Sequence, residues 1–382
     1  MTGLALLGST GSIGRQALEV VAALSDRFEL RALAAGHAGD AFSAQLATFP
    51  EARAWCADGM PSGLDPSRWA AGGLAELAVA DGVELVVVAT TGMAALPAVL
   101  AALQAGRRVA LANKETLVTG GHLVAQALDT VGGDRLDRLR PIDSEHSAIW
   151  QCLLGEPMDG VARLILTASG GPFRERDPRS AAAVTTEEAL SHPTWKMGPK
   201  ITIDSATLVN KAYEAIEARW LYGLAYSRIE AVIHPQSVVH SFVEFTDGSF
   251  KAQMGLPDMR LPIQYALTHP QRLPSPARHG GPIDWGTLEF LALDEARFPA
   301  YRTVRAAAAA GGNRGTILNA ADEVAVAAFL AGSLPFDGIA PLLETAVERW
   351  GADIEPDLDT IESLDAEVRS TLRGETGLGR GA

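Results

Sequence analysis

The chain opens with a short apolar run, LALLG (residues 4–8), which passes directly into the glycine turn GSTGSIG (residues 8–14) and then into the amphipathic stretch IGRQALEVVAAL. Few folds accept that order. A buried strand that enters a helix through a glycine turn is the first half of a βαβ unit, and such units build a parallel sheet covered by helices on both faces. The rhythm continues: FELRALAAG reads as a second strand, ELVVVAT (residues 84–90) as a later one and RRVALAN (residues 107–113) as another, with helical runs between them. The uncharged stretch 85–104 is long enough to suggest a membrane span. Thr90, Thr91, Gly92 and Pro97 interrupt it, so it reads as a buried strand, a turn and a helix.

The glycine turn suits a phosphate. Glycines let backbone approach an anion closely, and the amides at a helix N-terminus carry partial positive charge. Thr10, Ser12 and Ile13 would offer amides, although Thr10 stands where the middle glycine of a G-x-G-x-x-G turn would be. The second strand ends in Ala34-Ala35-Gly36-His37-Ala38, with no acid before Asp40. A carboxylate there would hold the ribose 2′-hydroxyl of NAD, so its absence favours NADP. His37 is a candidate contact for the 2′-phosphate or a surface histidine.

Three later segments carry the chemistry. LANKET (residues 111–116) places Asn113, Lys114 and Glu115 where a strand meets the carboxyl edge of the sheet. PIDSEHSAIWQ (residues 141–151) sets Asp143 and Glu145 around Ser144, after an apolar strand. Two carboxylates so close need a cation or a shared proton, and hard divalent metals prefer such oxygens; helix N-terminal acids are the competing account. In residues 192–220 a helix is expected to begin near 205–207. Asn210 and Glu214 then share one face, with Lys211 and Glu214 as neighbours. Ser205, Thr207 and Asn210 form a polar cluster in a segment that also holds His192 and Trp195. Ser169 lies at another strand end beside a Gly-Gly turn, fit to bind phosphate. Of five lysines, four (Lys114, Lys196, Lys200 and Lys211) fall in these segments.

The remaining sequence is quieter. Strands are read in IEAVIHP, SVVHSFVEFTDG and SFKAQMG, with a hairpin at Asp247-Gly248. A proline-rich passage over 270–282 reads as a linker, helical runs over 302–310, 316–331, 338–350 and 359–373 as a bundle, and GETGLGRGA as a frayed tail. The formal charge of -14 argues against a general nucleic-acid binder or a basic membrane-surface protein, and half of it lies in residues 291–382, which carry 8 bases and 15 acids. Cys56 and Cys152 are too few for a disulfide framework and sit in apolar surroundings, so core packing and a reducing cytoplasm are expected. Structural roles are expected for His146, His234 and His240.

Together GSTGSIG, LANKET, PIDSEHSAIWQ, LTASGGPFR, HPTWKMGPKITIDSATLVNKAYEAIEA, HPQSVVHS and GLPDMRLPI resemble the 1-deoxy-D-xylulose 5-phosphate reductoisomerase family over essentially the whole chain. The resemblance implies an α/β protein: a Rossmann-like NADPH domain (1–141), a central α/β catalytic and metal-binding domain with dimer-forming strands (142–268), a linker (269–290) and a C-terminal four-helix bundle (291–382). It implies a cytoplasmic homodimer acting on a phosphorylated sugar, with no nucleic-acid or membrane partner. By motif match, Asp143, Glu145 and Glu214 would hold Mg²⁺ or Mn²⁺, with Co²⁺ as a further option. Lys114, Ser144, Asn210 and Lys211 would hold the sugar, and Ser169, His192, Ser205 and Asn210 the phosphate region. Trp195 and Met197 would belong to a lid over 189–199. Thr10, Gly11, Ser12, Ile13, Gly36, His37, Asn113, Glu115 and Gly198 would serve NADPH. Members commonly carry Lys-Asn after the glycine matching Gly36, where this chain has His37-Ala38.

Overall fold

The structure, a computed structural model, describes residues 1–195 and 197–378; Lys196 and the last four residues of the expected tail lie outside the described residues. The chain divides into two compact units. The first comprises Met1–Thr116, Leu123–Trp150 and Asp258–His279, and the second Leu117–His122, Gln151–Pro257 and the chain from Gly280 onward.

The first unit is built on six strands, β1 (Thr2–Leu7), β2 (Phe28–Ala35), β3 (Arg53–Cys56), β4 (Leu85–Val88), β5 (Arg108–Leu111) and β6 (Leu139–Pro141). They are all parallel, in the order β3-β2-β1-β4-β5-β6. Both faces are covered, which is why β4 reads as the unbroken apolar run LVVV, every residue of it buried. The helix Ser12–Ala23 turns Gly14, Ala17, Val20 and Val21 inward, a helical period laid against the sheet. The strand order reverses between β1 and β4. In open parallel sheets, ligands bind outside the carboxyl ends of the strands at such a reversal. β6 is the apolar strand expected before Asp143; the short strand β3 carries no extended apolar run and is not announced by the sequence pattern.

The second unit holds a mixed sheet in the order β10-β9-β7-β8-β11, from β7 (Val161–Ala168), β8 (Ile229–Ile233), β9 (Val239–Phe245), β10 (Phe250–Met254) and β11 (Leu291–Ala292). β7 and β8 are parallel; the helices Pro199–Thr207 and Val209–Tyr222 lie in the crossover between them. β9 and β10 form the hairpin expected at Asp247-Gly248. Four helices close the chain, Pro299–Ala310, Arg314–Leu330, Ile339–Trp350 and Leu358–Thr376. Arg314–Leu330 is their centre, buried nearly all round, whereas Leu358–Thr376 buries a single stripe of Ile361, Asp365, Val368 and Leu372. The acids of the last helices therefore face mostly outward.

Two local expectations change. The helix expected to begin near 205–207 begins at Pro199, because proline at the first helical position has its φ preset and lacks only an amide that would be unpaired there. It stops at Leu208, whose φ of 59° is left-handed, and a new helix starts at Val209. A left-handed non-glycine residue costs about 1–2 kcal/mol, and burial of the Leu208 side chain offsets it. The expected frayed tail is helical through Thr376, where the Thr376 hydroxyl donates to Leu372 O at 2.7 Å and left-handed Gly377 ends the helix.

Candidate active site

The glycine turn after β1 is shaped by contact. Gly8 has φ +92°, and a Cβ there would lie 2.4 Å from Ala89 O at the end of β4. Gly11 caps the helix Ser12–Ala23 without a side-chain hydrogen bond to its first turn, so that turn keeps amides for an anion. Ser9 turns away and bonds Gln45, with Oγ 2.6 Å from Oε1.

The end of β2 brings a surprise. His37 is 91% exposed by its side chain and faces Asp58, which follows β3, at 3.3 Å. The Ala38 amide donates to the same carboxylate at 3.1 Å and, with His37, holds it below the usual carboxylate range. No acid lies between the end of β2 and Asp40 in sequence, yet the fold delivers Asp58 from the end of the neighbouring strand. A sequence reading that found β3 and its register with β2 would have found Asp58.

Asn113 is buried at the end of β5. Its amide group donates to Thr90 O (3.0 Å) and Gly92 O (2.8 Å), and its oxygen accepts from the Thr116 amide (2.8 Å) and hydroxyl (2.6 Å). The side chain is thus spent on tying β4 to β5, which fixes the backbone that presents Lys114 and Glu115. Lys114 makes a short ion pair with Asp143, both side chains nearly buried. Asp143 Oδ1 also accepts from the amides of Glu145 (3.1 Å) and His146 (3.4 Å) at the start of the helix Ser144–Leu153. The helix-capping and cation-binding accounts of Asp143 are therefore compatible, because one oxygen serves each. Ser144 donates to Glu145 Oε2 at 2.7 Å.

In the second unit, β7 ends at Ser169 and the Gly170-Gly171 turn. Gly171 has φ +63°, and a Cβ there would sit 2.6 Å from Ser205 O, so this glycine allows strand end and helix to meet. His192 Nε2 lies 3.1 Å from both Ser169 Oγ and Ser205 Oγ. Its Nδ1 accepts from the amides of Thr194 (3.1 Å) and Trp195 (2.9 Å). An Nδ1 that accepts carries no proton, so the ring is the neutral tautomer with its hydrogen on Nε2. Burial agrees, pushing its pKa down to about 4. Two hydroxyls and one uncharged N–H form a donor set suited to phosphate oxygens. Trp195 and Met197 lie half-buried in the coil that follows, and Gly198 caps the next helix.

One turn beyond the break at Leu208, Asn210 Nδ2 donates to Glu214 Oε1 at 2.7 Å, and Lys211 makes a short ion pair with Glu214. An exposed surface pair was the competing account of these two charges. Their side chains are only 4% and 1% exposed, so that account fails. Asn210 Oδ1 is buried without a donor among the described residues, an acceptor still to be met.

The carboxylates suit a hard cation. Within each unit a lysine ammonium lies on a carboxylate, Lys114 on Asp143 and Lys211 on Glu214, and Ser144 meets Glu145. Positive charge is what these oxygens require. The structural readings of Cys56, Cys152 and His234 hold. Cys56 and Cys152 are buried, and burial pushes the Cys152 thiol up to about 11. His234 Nε2 accepts from the amides of Val238 and Val239, a structural role. No helix among the described residues is long and apolar enough to cross a membrane.

Comparison with known proteins follows the same lines. Three family profiles match: 1-deoxy-D-xylulose 5-phosphate reductoisomerase over residues 4–121, its C-terminal domain over 139–222, and the DXP reductoisomerase C-terminal domain over 254–371. The 1-deoxy-D-xylulose 5-phosphate reductoisomerase of Pelotomaculum thermopropionicum is 48% identical over 380 residues, covering 97% of each chain. That of Geobacillus kaustophilus is 46% identical, covering 97% of this chain and 98% of its own. Among solved structures, DOX-P reductoisomerase in complex with NADPH, fosmidomycin and magnesium superposes with a TM-score of 0.88 at 35% identity, with full coverage of both chains. The enzyme from Zymomonas mobilis in complex with NADPH also gives 0.88, at 36% identity, covering 98% of this chain and 99% of its own.

Proposed function

The chain belongs to the 1-deoxy-D-xylulose 5-phosphate reductoisomerase family, and from that premise we propose how its residues convert 1-deoxy-D-xylulose 5-phosphate to 2-C-methyl-D-erythritol 4-phosphate. The reaction rearranges the carbon skeleton to a branched aldehyde and reduces that aldehyde, in the methylerythritol phosphate route to isoprenoids. NADPH supplies the hydride. A divalent ion, Mg²⁺, Mn²⁺ or Co²⁺, would supply Lewis acidity to the substrate's oxygens.

The observation that carries the residue assignment is the clasp of a lysine on each of two carboxylates, Lys114 on Asp143 and Lys211 on Glu214. Asp143, Glu145 and Glu214 are the proposed ion ligands. With a cation on these carboxylates, Lys114 and Lys211 would be available to the substrate, and with Ser144 and Asn210 they would hold the sugar hydroxyls. The unmet Asn210 Oδ1 accepts one of those hydroxyls. Ser169, His192, Ser205 and Asn210 anchor the phosphate region. His192 does so as a neutral donor through Nε2, leaving net charge to the lysines. Residues 189–199, with Trp195 and Met197, close over the substrate and exclude water, which would protonate and divert the enolate-like fragment formed as the carbon–carbon bond breaks. For NADPH, the amides of Thr10, Gly11, Ser12 and Ile13 take the pyrophosphate, with Gly36, His37, Asn113, Glu115 and Gly198 as further contacts.

The proposal keeps the division into an NADPH domain (1–141), a catalytic domain (142–268), a linker (269–290) and a helical bundle (291–382), and a cytoplasmic homodimer. The test is oxidation of NADPH at 340 nm with 1-deoxy-D-xylulose 5-phosphate, with and without Mg²⁺ or Mn²⁺, and product identification. Metal-dependent formation of the branched polyol phosphate is expected. No consumption under any of these conditions, or reduction without rearrangement, would overturn the assignment.

A further inference from the structure

Residues 291–382 carry half of the net charge, and nothing in the reading above gives them a part in the chemistry. Two of their acids, Asp322 and Asp365, are buried, and Asp365 pairs with Arg369 of its own helix. Asp322, on the helix Arg314–Leu330, is fully buried, with Oδ2 2.8 Å from Lys200 Nζ. No hydrogen-bond donor besides that ammonium meets its carboxylate among the described residues. Lys200 also lies 2.6 Å from Asp204 Oδ2, one turn along its own helix, and over the Tyr213 ring at 5.2 Å. A buried carboxylate is strongly unfavourable unless a cation faces it, so Asp322 fixes where Lys200 must be.

The place being fixed is specific. Lys200 is the second residue of the helix Pro199–Thr207, directly after the coil that carries His192, Trp195 and Met197. The last turn of that helix carries Ser205, whose hydroxyl meets His192. The central helix Arg314–Leu330 also holds the next helix, because the Tyr213 hydroxyl donates to Leu318 O at 3.2 Å. It therefore grips both sides of the left-handed break at Leu208. The grip on one side is a buried ion pair and on the other a neutral hydrogen bond.

We propose that Asp322 is a positioning residue: through Lys200 it holds the helix Pro199–Thr207, and so sets the Ser205 hydroxyl, and with it His192, for the phosphate end of the substrate. This rests on the functional reading given above. Asp322 is fully buried and acts through Lys200, so its effect is expected on the sugar phosphate and not on NADPH.

The experiment is a double-mutant cycle on the full-length enzyme. KM for 1-deoxy-D-xylulose 5-phosphate and kcat are measured at saturating NADPH and Mg²⁺ for wild type, D322N, S205A and the double variant, with NADPH affinity followed by fluorescence. D322N is expected to raise KM by about fivefold or more, with NADPH affinity within about twofold of wild type. In the S205A background the same substitution should change KM by less than about twofold, because the group it positions is gone. An unchanged KM in D322N, or a rise undiminished without the Ser205 hydroxyl, would overturn the proposal. Should D322N not fold, D322E, which keeps the charge but displaces it by a methylene, is read by the same criterion. A wild-type enzyme inactive on this substrate would instead sink the functional reading, so the two failures are distinguishable.

Discussion

Two helices of this protein carry charge pairs of opposite exposure. On Val209–Tyr222, Lys211 and Glu214 are three residues apart; on Leu358–Thr376, Glu375 pairs with Arg349 of a neighbouring helix. The Arg349 and Glu375 side chains are 49% and 52% exposed, against 4% and 1% for Lys211 and Glu214. Water screens the first pair, and its formation or loss changes little. The second has no water to fall back on, so each charge depends on its partner or on a cation that replaces it. Spacing makes a pair; burial decides whether the pair can be exchanged for a ligand.

The largest expected effect tests the buried pair. Glu214→Gln should lower turnover by about a hundredfold or more and weaken Mg²⁺ or Mn²⁺ binding, with NADPH affinity nearly unchanged. Titrating metal into the variant at fixed substrate measures this, and full activity at wild-type metal concentrations would return the pair to a structural role.

A smaller effect comes from His192, a half-buried neutral group. Its pKa of about 4 is below the ordinary 6.5, so between these values the unfolded chain binds more protons than the folded one. Its contribution to stability is therefore complete above about pH 6.5 and declines as pH falls toward 4. The stability difference between wild type and His192→Gln, from urea unfolding at pH 7, 5.5 and 4.5, should shrink steadily. A difference independent of pH would mean that the imidazole is not desolvated as described.

The smallest effect is at the exposed pair. Arg349→Gln should change stability by less than about 1 kcal/mol and leave KM and kcat at wild-type values. A larger loss would break the contrast between the two helices.

Some of this was readable because it is local. The strand–glycine turn–helix order of residues 4–23 and the apolar strands 85–88 and 108–111 specify a parallel sheet from a few residues at a time. The residue types at Asp143, Glu145, Lys211 and Glu214 already named a cation and an anion. The helix start at Pro199 was also local, announced by Gly198-Pro199, and its cost was concealing the Lys200–Asp204 spacing. Strand β3 does not stand out because four residues hold too little pattern.

The sequence by itself therefore determined the sheet, the glycine turn and the chemical kinds of group the protein would use, since backbone sterics, hydrogen bonding and side-chain period act over one or two turns. Only the tertiary structure decided which charges lose water, that Asp58 reaches His37 from the next strand, that Leu208 divides two helices, and that Asp322 faces Lys200 from 122 residues away. Dielectric environment and partner distance are properties of the packed chain, and they set the energy of every charged group in the site.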